Sequence, residues 1–151
     1  MITNLPYPSS GQIIVIDDEP LILKLTIAIL EREGYNVLTA HTPELAINLI
    51  SQQGASTSAF IVDCGLNDKS NLNENILTCI RTMAPSSPVL FISGSTLCEK
   101  ETSLLNSKHT AFVLKPFKIT EITETLKTLI ANSTLSPSDL RFHHEKTLEV
   151  V

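Results

Sequence analysis

Residues 12–18 read QIIVIDD, from Gln12 to Asp18. Ile13 to Ile16 are four successive β-branched apolar residues. A strand with one wet face alternates apolar with polar, so an unbroken run suits a strand covered on both faces. Two acids end the run, and Pro20 is placed for the first turn of a helix. Leu21 to Glu33 then sets Ile22, Leu25, Ile29 and Leu30 at helical spacing, with Gly34 as the residue that stops the helix.

The same pairing of apolar run and helical segment recurs along the chain. Tyr35 to Ala40 reads as a second strand. Pro43 to Gln53 reads as a helix with Leu45, Ile47, Leu49 and Ile50, ended by Gly54. A third strand, Ala59 to Val62 (AFIV), leads through a polar, Asn-rich stretch from Gly65 to Asn71. A helix over Leu72 to Met83 follows. Pro85 and Pro88 punctuate a turn before the fourth strand, Val89 to Ile92 (VLFI). Thr96 to Ser107, with Leu97, Leu104 and Leu105, reads as a fourth helix. Ala111 to Leu114 (AFVL) is the fifth strand, and Ile119 to Ala131 a fifth, amphipathic helix. Strands alternating with helices predict an α/β fold, a five-stranded parallel sheet doubly wound as (βα)5. Right-handed crossovers put helices on both faces. In such sheets ligands bind at the carboxyl ends of the strands, so chemistry is expected just after each apolar run.

Composition narrows the class. The chain has 151 residues, 42% hydrophobic and 18% charged, which fits one globular domain. A net charge of −5 lacks the basic excess of a nucleic-acid-binding surface, so no direct DNA binding is expected. No apolar run reaches the roughly 18 residues of a membrane span. The polar start, MITNLPYPSSG, has no signal-peptide pattern. Cys64, Cys79 and Cys98 form no CxxC pair and read as reduced thiols of a cytoplasmic protein. Residues 1–11 read as an extension, 12–132 as the domain, and 133–151 as a tail too short for an effector domain.

Each strand end but the second carries a chemically useful group. Asp17, Asp18 and Glu19 follow the first strand, Asp63 the third, Ser93 the fourth, and Lys115 with Pro116 and Phe117 the fifth. Gathered carboxylates repel one another. A divalent cation relieves that repulsion, and hard oxygen ligands suit Mg²⁺, which needs only one or two protein carboxylates. A remaining carboxylate oxygen is then available to attack phosphorus, with Lys115 supplying positive charge, Ser93 a hydroxyl, and Gly94 space. Taken singly, the acid pair also reads as a helix N-terminal feature, Ser93 as a turn residue, and Phe112 as core.

The strings IVIDDEP, FIVD, FISG and FVLKPF, in this order and spacing, resemble response-regulator receiver domains of two-component systems, over about Gln12 to Ala131. The resemblance implies a flavodoxin-like sheet of order 2-1-3-4-5. It implies that Asp63 is the phosphoacceptor and that Asp17 and Asp18 hold Mg²⁺ together with Asp63 and the Gly65 carbonyl. It further implies that Lys115 and Ser93 engage the phosphoryl group, that Ser93 and Phe112 form the switch, and that the Lys115–Pro116 bond is cis. A histidine kinase or phosphotransfer protein would be the donor. A downstream output protein would read the surface made by the fourth helix, fifth strand and fifth helix, a surface that also allows a homodimer. No enzyme is implied beyond self-catalysed phosphotransfer and slow autodephosphorylation.

Some positions depart from the family pattern. Asn67 stands where relatives usually have proline, Asn71 near a frequent glycine, and Phe112 where tyrosine is commoner. Gly65 places no side chain over the acceptor. Two other functions compete. A pseudo-receiver would keep the fold as an interaction module without phosphate. A metal-dependent phosphatase would need a second acid where Gly65 sits.

Overall fold

The computed structural model describes residues 11–65, 72–94 and 109–134. These form strands β1 (Gln12–Ile16), β2 (Asn36–Ala40), β3 (Ala59–Asp63), β4 (Val89–Ser93) and β5 (Thr110–Leu114). Helices α1 (Pro20–Arg32), α2 (Pro43–Gln53) and α3 (Leu72–Met83) alternate with them, and a last helix covers Ile119–Thr134. The strands make one parallel sheet in the order β2-β1-β3-β4-β5. The helix expected at Thr96–Ser107 lies outside the described residues, as do Cys98, Asn67 and Asn71.

The unbroken apolar runs have a direct cause. Alternate residues of each strand point to opposite faces, and both faces are covered. Ile14, Ile16, Phe60, Val62, Val89 and Phe91 pack with Ala46 and Ile50 of α2 and with Ile76 and Ile80 of α3. Ile13, Val15, Ile61, Leu90, Ile92 and Val113 pack on the other face with Leu30 of α1 and with Ile122, Leu126 and Leu129 of the last helix. Each fully buried Ile or Phe here contributes on the order of 1.5–3 kcal/mol.

Several element details differ from the sequence expectations. Strands β3 and β4 run one residue past the apolar stretches ending at Val62 and Ile92, with Asp63 and Ser93 at their ends as expected. The second strand begins at Asn36, one residue after Tyr35. Leu25, expected on the inner stripe of α1, is exposed, and Thr26 is buried with Ile29 and Leu30 instead. In α2, Leu45 and Ile47 are exposed while Ala46 and Ile50 face the sheet. Both helices cross the sheet by a narrow stripe, so part of their apolar content stays outside it. The last helix runs to Thr134, three residues past its expected end at Ala131.

Two glycines earn their place by backbone conformation. Gly34 ends α1 with φ +92°. Gly11 enters β1 with φ +113°, and a Cβ there would stand 2.4 Å from Ser58 Oγ.

Candidate functional site

The site is assembled by strand ends. Asp17 leaves β1 with its N–H donating to the Ala40 carbonyl at 3.1 Å. Its Oδ1 accepts the Glu19 N–H at 2.9 Å, which turns the chain into α1. Asp63 closes β3, and its Oδ1 accepts the Gly65 N–H at 3.2 Å. The next N–H, that of Cys64, bonds to the Ile92 carbonyl at 2.8 Å, tying this corner to β4. Ser93 is buried at the end of β4, and its carbonyl accepts the Lys115 N–H at 2.7 Å. The Lys115–Pro116 bond is cis.

Asp17, Asp18, Glu19 and Asp63 each present a carboxylate oxygen, and these oxygens lie within 4.8 Å of one another. Asp17 and Asp63 are only 2% and 3% exposed, whereas Asp18 and Glu19 face solvent. Lys115 Nζ reaches Glu19 Oε1 at 3.0 Å and Asp63 Oδ1 at 3.4 Å. Four negative charges therefore face one ammonium. The like charges repel one another, most strongly between the two buried carboxylates, Asp17 and Asp63, where solvent screens least. Burial pushes the Asp17 carboxyl up to about 6, with the Asp63 and Glu19 charges adding to the rise. The Glu19 N–H and the Lys115 charge oppose it. Partial burial works against the Lys115 charge, but the hydrogen bond to Glu19 and the nearby Asp63 and Asp17 carboxylates leave its pKa raised.

This donor set fits Mg²⁺, being hard, all-oxygen, partly open to water and short of positive charge. The fold brings together the expected residues Asp17, Asp18, Asp63, Gly65 and Lys115, with Ser93 on the strand between Asp63 and Lys115. Glu19 was not singled out from sequence. Its signal was its place directly after the acid pair, and only the fold shows that its carboxylate turns back onto Lys115. Among the described residues, a methyl at Gly94 would meet Lys115 Cδ alone, at an ordinary 3.9 Å. Phe112 is half-buried on β5 and stacks on Phe91 of β4, ring centroids 5.1 Å apart. Cys64 and Cys79 are half-buried against the core.

A doubly wound parallel sheet with an acid cluster and a lysine at its carboxyl rim defines a flavodoxin-like signalling domain. Residues 13–127 match the response regulator receiver domain, and the chain belongs to that family, the receivers of two-component systems. Receiver domains are regulatory modules that bind Mg²⁺ at an acidic pocket. The transcriptional regulatory protein KdpE of Mycobacterium tuberculosis is 30% identical over 122 residues, 81% of this chain and 52% of KdpE. The chain spans about half the length of the first curated relatives it matches. A CheY-like receiver domain protein from Methanospirillum hungatei superposes with TM-score 0.74 at 25% identity, covering 83% of this chain and 98% of that one. NtrX from Brucella abortus superposes at 0.71 and 26% identity, over 82% of this chain and 28% of its own. Among the described residues no helix is long and apolar enough to cross a membrane.

Proposed function

We propose that this chain is a phosphoacceptor receiver that takes a phosphoryl group onto Asp63 from a phosphohistidine of a histidine kinase or phosphotransfer protein. The observation that carries this reading is the meeting of Asp17, Asp18 and Asp63 carboxylates with the Lys115 ammonium at one rim of the sheet. Asp17, Asp18, Asp63 and the Gly65 carbonyl would hold Mg²⁺. When bound, the ion would neutralise the acids and the phosphoryl oxygens. Asp63 Oδ1 accepts the Gly65 N–H and lies 3.4 Å from Lys115 Nζ, and a carboxylate oxygen of Asp63 would attack the phosphorus. A P–O bond forms to that oxygen as the P–N bond of the donor breaks, and the leaving imidazole takes up a proton. Lys115 then pairs with the phosphoryl oxygens and Ser93 donates its hydroxyl to one of them.

Phe112, stacked beside Ser93's strand, would turn inward as Ser93 moves. The surface of the fourth helix, fifth strand and fifth helix would then shift toward the form that an output protein prefers. The setting is the cytoplasm. Incubation with Mg²⁺ and acetyl phosphate tests the assignment by intact mass. The expected result is a gain of one phosphoryl group, lost in Asp63→Asn. Folded protein that gains nothing refutes the reading and leaves the pseudo-receiver.

A further inference from the structure

Lys115 is shared unequally. Its Nζ lies 3.0 Å from Glu19 Oε1 and 3.4 Å from Asp63 Oδ1, and among the described residues only Glu19 forms a side-chain hydrogen bond with it. Glu19 sits at the N-terminal boundary of α1, where its own N–H is anchored on Asp17 Oδ1. The backbone position of Glu19 is thereby tied to the acid pocket, while its carboxylate remains 56% exposed and reaches across the mouth to β5. The Asp17 hydrogen bond accounts for the Glu19 backbone, but nothing in the strand packing requires the Glu19 side chain to close this contact.

We propose that Glu19 is a restraining residue that holds the Lys115 ammonium in the resting state and must release it when a phosphoryl group arrives on Asp63. This inference rests on the phosphoacceptor reading above and adds a control on the same site. Glu19 and the phosphoryl oxygens compete for one cation. While Lys115 is on Glu19 it is not available to the incoming group, and apparent affinity falls by the fraction of time so spent. Glu19 also adds one negative charge within 4.8 Å of the other carboxylates, which repels a phosphoryl group and attracts a metal. Its removal therefore has opposite effects on the two ligands, weakening Mg²⁺ binding and strengthening phosphoryl binding once Mg²⁺ is saturating. Glu19 acts through Lys115, so it is a positioning residue and not a catalytic one.

Calorimetric titration with beryllofluoride at saturating Mg²⁺ tests this on wild type, Glu19→Gln, Lys115→Met and the double variant. The Glu19 side chain is solvent-facing, so Glu19→Gln keeps the fold. Glu19→Gln is expected to bind beryllofluoride about three- to fivefold tighter than wild type, the scale of a part-exposed ion pair. In the Lys115→Met background the same change is expected to give a clearly smaller gain, the part that comes from relieved charge repulsion alone. Equal or weaker binding by Glu19→Gln, or the same gain without Lys115, overturns the proposal. If Lys115→Met binds nothing measurable, the Lys115 ammonium resonance decides. Glu19→Gln must alter it in the resting protein and leave it alone in the beryllofluoride-bound protein, and an unaltered resting signal overturns the restraint. Wild type that binds no beryllofluoride at all removes the phosphoacceptor reading itself, an outcome distinct from a silent Glu19→Gln.

Discussion

Asp17→Asn in metal-free buffer puts a number on the crowding of charge at the rim. Asp17 is 2% exposed, and its carboxyl is pushed up to about 6 from 3.8, first by burial and then by the charges of Asp63 and Glu19. In the unfolded chain the group titrates near its ordinary value. Between the two values the folded state binds more protons, so stability falls as pH rises from about 4 to about 6. Below that window Asp17 is neutral in both states and the penalty is absent. Above it the penalty is complete, about 3 kcal/mol at 1.36 kcal/mol per pK unit. Asparagine is isosteric, and its Oδ1 still accepts the Glu19 N–H that Asp17 holds at 2.9 Å. That bond loses its charge assistance, which reduces the expected gain to about 2 kcal/mol. Urea unfolding of wild type and Asp17→Asn in chelator measures it. The variant is expected to be more stable at pH 7 and equal to wild type near pH 4. Saturating Mg²⁺ is expected to close or reverse the gap, because a cation that binds only the native site stabilises wild type by mass action. Equal urea midpoints at pH 7 without metal would refute the account of an electrostatically strained pocket.

Three further changes test the packing that supports the site. Thr26 Oγ1 is buried with no hydrogen-bond partner among the described residues, so Thr26→Val is expected to raise stability by about 1 kcal/mol in urea melts, and a loss would refute this. Ile80, fully buried under the sheet, is expected to cost about 2–5 kcal/mol when cut to alanine, with a lowered thermal midpoint as the check. Gly11→Ala is expected to lose about 1–3 kcal/mol through its positive φ and the approach to Ser58. Most of that loss should persist in a Ser58→Ala background, since removing the hydroxyl leaves the backbone strain in place.

The strands were readable in the sequence because burial on both faces erases alternation, leaving runs such as Ile13 to Ile16 and Phe60 to Val62 that no amphipathic surface element needs. Strand order came from resemblance, since parallel pairing leaves no local mark in the chain. Helix faces were less legible. Leu25, Leu45 and Ile47 have the hydropathy of core residues and lie outside it, while a buried threonine, Thr26, takes an inward position. Hydropathy ranks residues, but the rotation of each helix on the sheet decides which rank is used. The site residues were legible as types at strand ends. The partner of Lys115 was not, because the Glu19 contact joins residues 96 positions apart and depends on how α1 leaves β1.

Register carries a consequence for engineering. Asp63 stands level with Ile92, and Ser93 with Leu114, so the pocket is set by how far each strand advances. Insertion of one residue inside β3 or β4 would invert every side chain beyond it and send the acid or the hydroxyl to the wrong side of the sheet. The turns at the far rim, Gly54 to Ser58 and Ala84 to Pro88, precede the same strands without touching the pocket. Reporter loops or affinity handles belong at the exposed positions of these turns, Ala55–Ser56 and Pro85–Ser86, where added length is absorbed before the register begins.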